Sequence, residues 1–204
     1  MKPYTRDDAE TDLQAALDTG DLEAALRHAG HLDHLPPKPA PTLAGAALWY
    51  ATRGLPVFPL QPASKLPWRG THGVKDATTD PDRIRSWWTS GPGFAESNIG
   101  LATGHVVDVI DFDGLEGHAD WGRQYPTWDD AERVALGTVS TPRPGGFHLY
   151  THATGAGNLA GYVGAHVDYR GLGGYVVAPP SRLDNRGDQH PGTYRWLRPL
   201  EVQP

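Results

Sequence analysis

One apolar segment constrains the fold of this chain more than any other part of its sequence. Residues 106–114 read Val-Val-Asp-Val-Ile-Asp-Phe-Asp-Gly, and the β-branched residues among them favour an extended strand. Side chains alternate along a strand, so Asp111 and Asp113 point to one face and Asp108 points to the other. Two neighbouring carboxylates repel each other unless a cation or a proton compensates them. The segment therefore predicts a strand with a charged site at its end.

This acidic pair allows two interpretations. Carboxylate oxygens suit Mg²⁺ or Mn²⁺, ions that also take water and substrate phosphates as ligands. The alternative is an ordinary strand end whose acidic side chains face water. The spacing of Asp111 and Asp113 leaves both interpretations open.

A second segment, residues 142–150, combines a glycine pair with a histidine. Gly145 and Gly146 lack side chains, so the backbone there can approach a ligand closely. His148 lies on the following predicted strand, where it shares a face with Tyr150. A histidine near phosphates can donate a hydrogen bond or transfer a proton, whereas a lone strand histidine is more often structural.

A third segment, residues 167–181, places an acid beside a guanidinium. Asp168 and Arg170 share one strand face, so a carboxylate and a phosphate-binding group can enter one site. The glycines that follow predict a tight hairpin to the next strand. Three acids and one histidine on strands bordered by glycines together indicate a site for two divalent ions, an arrangement that supports phosphoryl transfer.

Composition excludes several other kinds of site. The 204 residues contain no cysteine, which rules out disulfides, cysteine-ligated zinc and cysteine nucleophiles and suits a reducing compartment. Neither a P-loop nor a nucleophile-elbow pattern is present. The sequence shows no signal peptide and no apolar run of roughly 20 residues, so we expect a soluble, cytoplasmic protein with no membrane partner.

The net charge of −6 argues at first against a nucleic-acid partner, because such proteins usually carry a basic surface. The charge is uneven, however. Residues 1–35 hold three basic and eight acidic residues, which gives 3 − 8 = −5 and leaves −1 for the remainder. If three acids of the remainder bind metal ions, the rest of its surface is slightly basic.

A proline-rich segment divides the chain. Residues 6–32 predict two short helices that are separated by Gly20, with Asp21 as the N-cap of the second. Residues 36–41 read Pro-Pro-Lys-Pro-Ala-Pro and favour an extended backbone. We therefore expect an acidic helical segment at 1–35, a linker at 36–42 and a main domain at 43–204.

The main domain is predicted to mix helices and strands irregularly. Thr42 and Asp80 are expected to cap helices, and Trp87 and Trp88 fall at core positions of the second. Predicted helices occupy residues 43–53, 115–124 and 127–135, and a further predicted helix begins at residue 81. Predicted strands occupy residues 57–60, 99–102, 106–112, 138–141, 147–151, 167–170, 175–178 and 194–197. Such a pattern indicates an α+β fold with a mixed β-sheet and flanking helices.

In their order and amino-acid sequence, these segments resemble the bifunctional DNA primase/polymerase N-terminal (prim-pol) domains of the archaeo-eukaryotic primase superfamily. The resemblance covers about residues 43–197. Besides the Asp111/Asp113 strand, it rests on residues 47–60, 65–67, 76–81, 87–88, 98–100, 145–148 and 173–181. It implies a primase-like catalytic core and a nucleotidyltransferase that makes or extends primers from nucleoside triphosphates on a single-stranded DNA template.

The resemblance also implies roles for individual residues. Asp111, Asp113 and Asp168 are expected to bind two Mg²⁺ or Mn²⁺ ions, and His148 to contact the phosphates of the incoming nucleotide. These four residues form the predicted catalytic set. Further nucleotide contacts are expected from Lys65, Arg170, Arg143, Gly145 and Gly146.

The chain departs from its relatives at Phe147, where many of them carry arginine. A cation that binds the triphosphate is then missing unless Arg143 substitutes for it. Relatives are often fused to a helicase, so the candidate partners are single-stranded template, primer and a helicase domain or protein. No zinc is expected, because the chain contains no cysteine. Two alternatives stay open, a metal-dependent phosphodiesterase and a catalytically weak nucleotide or nucleic-acid binding module.

Overall fold

The structure is a computed structural model that describes residues 6–21, 23–28, 42–91, 93–125 and 135–202. The chain divides into two units, Met1–Ala40 and Pro41–Pro204. In the first unit, helix α1 spans Arg6–Thr19 and residues 23–28 are also helical. Asp21 caps this second helix, because its carboxylate accepts a hydrogen bond of 3.0 Å from the Ala24 N–H. The predicted helical pair is confirmed as far as residue 28, while residues 29–35 and the linker up to residue 41 lie outside the described residues.

Three helices belong to the described part of the second unit: α2 (Leu43–Ala51), α3 (Pro81–Thr89) and α4 (Gly114–Gln124). Two short 3₁₀ turns lie at Gly73–Asp76 and Phe94–Glu96. The predicted caps are confirmed, since the Thr42 hydroxyl accepts a hydrogen bond from the Gly45 N–H and the Asp80 carboxylate accepts from the Asp82 N–H. Within the described residues, no helix has the length and apolar character needed to cross a membrane.

The helices of the second unit differ from the prediction in a few positions. Helix α2 ends two residues earlier than expected, because the backbone turns at 52–54 and Gly54 adopts a positive φ of 73°. Residues 127–134 of the helix predicted at 127–135 lie outside the described residues, and Ala135, which is described, is not helical. In α3, Trp88 is buried as predicted, whereas Trp87 is half-buried and packs against the edge of the same core.

Within the described residues, ten strands pair in three sheets. The first sheet has three strands in the order β1-β2-β7, the second has five in the order β10-β4-β5-β3-β6, and β8 and β9 form a short ribbon. The strands are β1 (Val57–Leu60), β2 (Asn98–Ala102), β3 (Val107–Phe112), β4 (Gly137–Ser140), β5 (Phe147–His152), β6 (Val167–Arg170), β7 (Tyr175–Ala178), β8 (Arg182–Leu183), β9 (Gly192–Thr193) and β10 (Arg195–Arg198).

The α+β class is confirmed, but the expected mixed sheet is not found. All pairs between these strands are antiparallel. The reason lies in β5, which follows β4 through a short turn and inserts between β4 and β3. Every neighbour in the five-stranded sheet therefore runs in the opposite direction.

The predicted glycine-rich hairpin between β6 and β7 is wrong. β6 is an edge strand of the five-stranded sheet, and β7 is an edge strand of the three-stranded sheet. Residues 171–174 therefore form a crossover from one sheet to the other. A run of glycines permits either geometry, so the sequence alone does not distinguish a hairpin from a crossover.

Alternation along β3 separates two hydrophobic cores. Val109 contributes to a large core that also takes residues from α2, α3 and both major sheets. Ile110 and Phe112, on the other face of the strand, contribute to a second core that Trp121 of α4 covers. Both faces of β3 are thus occupied by apolar side chains, and this fixes its register in the sheet.

Two of the connections between the major sheets, residues 103–106 and residues 171–174, pack directly on each other. The Thr103 hydroxyl donates a hydrogen bond of 2.7 Å to the Gly171 carbonyl, and the Thr103 N–H donates one of 3.0 Å to the Gly174 carbonyl. Gly104 has a φ of 87°, and a Cβ at this position would collide with the backbone of Leu172. This joint fixes the two sheets relative to each other along one side of the cleft between them.

Replacing Gly104 by alanine should destabilise the protein more than replacing Gly155. Both residues have a positive φ, so each substitution costs about 1–2 kcal/mol of backbone strain. Only Gly104 lacks space for a Cβ, and overpacking there should cost a further 1–3 kcal/mol, as estimated for crowded sites. Urea unfolding of both variants measures the difference. Equal losses of unfolding free energy would contradict the packing of the two connections.

Candidate active site

The five-stranded sheet brings three of the predicted catalytic residues into one transverse row. Strand β3 lies between β5 and β6, and Asp111 pairs with His148 on one side and with Asp168 on the other. Directly paired residues of antiparallel strands point to the same face, with Cβ atoms about 5 Å apart. Segments that are distant in sequence therefore supply three adjacent side chains on one face.

Asp113, the fourth residue of the predicted catalytic set, follows β3 at the start of α4. It occupies the N-cap position, but its side chain makes no capping hydrogen bond. Its backbone N–H instead donates a hydrogen bond of 2.8 Å to the His166 carbonyl. Its carboxylate lies 3.6 Å from Arg143 Nε and is 42 % exposed. Asp113 thus keeps a carboxylate at the surface of the cleft beside Asp111.

A cleft of about 290 Å³ opens on this face of the sheet. Most of the predicted side chains line it: Lys65, Asp111, Asp113, Arg143, His148 and Arg170. Asp168, Gly145 and Gly146 are not among the lining residues. Three cations that approach from different segments of the chain give the cleft the charge that a phosphate group requires.

Arg170 lies between two of the acidic residues. Its guanidinium is 2.7 Å from a carboxylate oxygen of Asp168 and 3.5 Å from one of Asp111. The other Asp168 oxygen accepts a hydrogen bond of 2.9 Å from the Gly161 N–H. Each carboxylate oxygen of Asp168 thus has a partner in the chain itself.

The carboxylates that line the cleft supply part of the ligands that the expected metal ions require. In the part of the chain that the structure describes, no group of three or more His, Asp or Glu side chains is arranged to hold an ion. Mg²⁺, however, usually takes only one or two carboxylates, together with water and substrate phosphates. Asp111 and Asp113 supply such a pair at the cleft surface, so their oxygens fit Mg²⁺ or Mn²⁺ bound jointly with a phosphate.

The charges around Asp111 favour its ionised form. Burial raises the pKa of this carboxyl, but His148, Arg170 and Lys65 lower it by more, so the pKa lies below its ordinary value. His148 Nε2 is 3.4 Å from an Asp111 oxygen, and the imidazole is almost completely buried. Asp111 is thus a carboxylate at neutral pH that can ligate a cation.

Two buried tyrosines border the same carboxylates. Burial raises the pKa of Tyr194, and the negative charges of Asp111 and Asp113 raise it further. Burial also raises the pKa of Tyr150 well above its ordinary value. Both phenols therefore stay protonated, and Tyr194 presents a neutral side chain to the cleft.

Lys65 lies on a loop whose backbone is held at several points. The Tyr175 hydroxyl donates a hydrogen bond of 3.1 Å to the Lys65 carbonyl. The Gln189 side chain accepts a hydrogen bond of 3.2 Å from the Lys65 N–H and donates one of 3.4 Å to the Ala63 carbonyl. Fully buried Asn98 donates a fourth hydrogen bond, of 2.9 Å, to the Ser64 carbonyl. These contacts hold the lysine backbone at the cleft before any ligand arrives.

The conformation of this loop also carries strain. Ala63 has a φ of 55°, which a residue with a side chain rarely adopts. Such strain persists only where surrounding contacts hold it, and it is concentrated at functional sites. The strained loop and its three supporting side chains are consistent with a lysine that is positioned to bind a ligand.

Sequence reasoning missed several residues that line the cleft. They are Asn158, Tyr175, Asp188, His190 and Tyr194. Tyr175 lies within residues 173–181, a segment on which the family resemblance rests, so the sequence contained some indication that it lies near the site. Asp188 and His190 lie in the loop between β8 and β9, for which the sequence offered no pattern.

Of the two expectations for Phe147, a missing cation or its replacement by Arg143, the lining of the cleft agrees with the second. Phe147 lies on the opposite face of β5 from His148, and its ring centroid is 5.8 Å from that of Phe112 in the second core. Arg143, by contrast, lines the cleft. Alternation along the strand, which the sequence already predicted, makes Phe147 a packing residue.

The backbone at Gly145 and Gly146 packs closely against neighbouring segments of the chain. A Cβ at Gly145 would collide with Leu115 at the start of α4, and one at Gly146 would collide with the Thr141 hydroxyl. His118 Nε2 is 2.9 Å from the Gly145 carbonyl. These glycines let the turn that carries Arg143 pack closely against α4 and against Thr141, which follows β4. Their close approach to a nucleotide stays a prediction.

Comparison with known families gives this geometry a context. The sequence model of the family described as bifunctional DNA primase/polymerase, N-terminal (Prim-Pol), matches residues 47–204. The chain belongs to this family. The match contains every residue of the transverse row and of the cleft lining, and it confirms the prim-pol resemblance. Prim-pol domains are primase/polymerase-type nucleotidyltransferases. No curated protein sequence matches the chain.

Replacing Arg170 by glutamine should destabilise the metal-free protein. Asp111 and Asp168 would then face each other on paired strands without a counter-ion, which we expect to cost about 1 kcal/mol. Unfolding in the presence of EDTA measures this loss. Arg143→Gln is the control, because its contact with Asp113 is longer and more exposed. Millimolar Mn²⁺ should raise the Tm of Arg170→Gln more than that of the control, and equal shifts would contradict the proposed role of Arg170.

Proposed function

We propose that this chain is a DNA-dependent nucleotidyltransferase that makes or extends primers from nucleoside triphosphates on a single-stranded template by a two-metal mechanism. One observation carries the proposal. Asp111 lies in a row with His148 and Asp168 on the sheet face that opens into a cation-lined cleft, with Asp113 at the next position of the same face. Membership of the prim-pol family supports the reaction class.

Asp111 and Asp113 are the residues that would hold Mg²⁺ or Mn²⁺, and Asp168 would join them if Arg170 turned toward the substrate. Such ions, when bound, activate an attacking hydroxyl oxygen and stabilise the charge on the leaving pyrophosphate. The lowered pKa of Asp111 keeps this ligand charged without an ion, so the site is prepared for a cation.

The cations of the cleft bind the triphosphate in this proposal. Lys65 approaches from the loop after β1, Arg143 from the β4–β5 turn and Arg170 from β6. Their charges surround the space in front of the carboxylates, where a transferring phosphoryl group has to lie. Positioned positive groups of this kind stabilise charge that develops in the transition state.

His148 contributes a donor at the centre of the row. Its Nε2 lies beside Asp111 at the cleft, while the rest of the ring is packed in the interior. Packing restricts the orientation of the ring, so the nitrogen can donate a hydrogen bond to a phosphate oxygen with little loss of side-chain entropy.

The alternatives lose part of their support. Phe147 favoured a catalytically weak binding module, but its side chain lies away from the cleft. A metal-dependent phosphodiesterase uses the same carboxylates and differs in its products, since it shortens strands and needs no triphosphate. The products of a reaction with labelled primer therefore separate the two reactions.

The Asp111→Asn, Asp113→Asn double variant should lose primer extension. The amides cannot supply the negative charge that the ions require. Incubation with Mn²⁺ or Mg²⁺, a primed single-stranded template and nucleoside triphosphates should lengthen the labelled primer with wild type, and EDTA should stop it. Asp82→Asn, which changes an exposed acid outside the cleft, should retain activity. Wild type as inactive as the double variant, or shortened primers, would refute the proposal.

Gln189→Ala should weaken nucleotide binding more than turnover. Loss of this side chain releases the Lys65 N–H and the Ala63 carbonyl, so the loop no longer presents the lysine in one geometry. We expect KM for the nucleotide to rise about three- to tenfold with a smaller change in kcat, as for lost ground-state binding. Arg186→Ala is the control on the same loop. A fall in kcat at unchanged KM would exclude this positioning role.

A further inference from the structure

A second concave surface lies on the same side of the five-stranded sheet as the catalytic row. It is an apolar groove of about 600 Å³ between α2 and β10, and we name it the aromatic groove. The side chains that matter for its chemistry are Trp49, Tyr50, Tyr194, Arg195 and Trp196. The proposed reaction assigns no role to this groove.

The aromatic groove lies next to the cleft. Trp196 pairs with Val139, and Val139 pairs with His148, so Trp196 extends the row that contains Asp111 and points to the same face. Three strand spacings of about 4.8 Å place it about 14 Å from Asp111. Tyr194 lines both the groove and the cleft.

Trp49 contributes exposed aromatic surface to this groove. Its side chain is 36 % exposed. It makes an edge contact with Tyr50, at a centroid distance of 5.2 Å. Exposed aromatic surface next to a site commonly marks a binding surface.

Cations accompany the aromatic rings. The Arg53 guanidinium lies 3.8 Å above the Trp49 ring, and exposed Arg195 lines the groove itself. Among the described residues that line the groove, none is acidic. Aromatic faces flanked by cations are the combination with which proteins bind single-stranded nucleic acid, because bases stack and phosphates are neutralised.

We propose that the aromatic groove binds bases of the single-stranded template next to the active site. The proposal rests on the proposed function, because a template strand that leaves the cleft past Tyr194, which lines both surfaces, would reach Trp49. Stacking on Trp49 requires no particular base, which suits an enzyme that copies any sequence. The cations of the groove would also attract an acidic peptide, so the test measures the binding of single-stranded DNA directly.

The test compares two tryptophans in similar surroundings. Trp49 and Trp87 are both helix residues with an arginine guanidinium over the ring, at 3.8 Å and 4.9 Å, but only Trp49 lines the groove. Anisotropy of a labelled oligo(dT) in EDTA gives the Kd of each variant. Trp49→Ala should weaken binding about 5- to 100-fold, the effect of one lost stacking contact, and Trp87→Ala should leave the Kd unchanged.

Two further variants keep the test decisive. Trp49→Leu retains an apolar side chain and should weaken binding like Trp49→Ala, whereas Trp49→Phe should retain most of the affinity. Arg53→Gln should reduce the dependence of Kd on salt concentration, since one phosphate contact is lost.

Several results would overturn the proposal. Unchanged oligo(dT) affinity in Trp49→Ala, or equal losses in Trp49→Ala and Trp87→Ala, would exclude stacking in the groove. A change from dimer to monomer on size exclusion with unchanged affinity would assign the groove to a second copy of the chain. Primer extension by wild type is measured separately, so selective loss of binding without any extension would refute the proposed function and leave the groove as a single-strand site.

Discussion

The structure depends above all on the pairing of β3 with β5 and β6. Val109 is buried in one core and Ile110 in the other, so both faces of the strand are fixed by packing. A slip of one residue would turn Asp111 into the second core and expose an apolar residue at the cleft. The hydrophobic alternation of β3 therefore positions the carboxylate as firmly as any contact that the carboxylate itself makes.

The cleft itself depends on how the two major sheets are joined. Thr103 bonds to the connection between β6 and β7, and Gly104 allows the two backbones to approach. This joint brings the loop of Lys65, which belongs to the first sheet, opposite the acidic row of the second. The same arrangement explains why Arg170 pairs with Asp111 and Asp168: carboxylates collected on one face require a cation, and an arginine of the chain supplies it.

Much of this arrangement could be predicted from the sequence, and the remainder has identifiable physical causes. Strand parity placed Asp111 and Asp113 on one face, and the caps at Thr42 and Asp80 followed from local hydrogen-bonding preferences. The partners of Asp111 required the family resemblance, because register between distant strands leaves no local signal. The β6–β7 crossover was missed because a glycine run suits several backbone paths.

Other residues were out of reach for different reasons. Gln189 acts on Lys65 across 124 positions of sequence, and no pattern marks such a contact. Phe147 was given a role in the cleft by comparison with relatives, although alternation along its own strand indicated the opposite face. Local periodicity was the better guide at that position.

The proposed two-metal mechanism is tested most directly by diffraction from crystals soaked with Mn²⁺ and a nucleoside triphosphate analogue that cannot react. The anomalous signal of manganese locates the ions. We expect manganese between the carboxylates of Asp111 and Asp113, with the triphosphate within reach of His148 and Lys65. Manganese bound outside the cleft, or a triphosphate bound away from this face of the sheet, would contradict it.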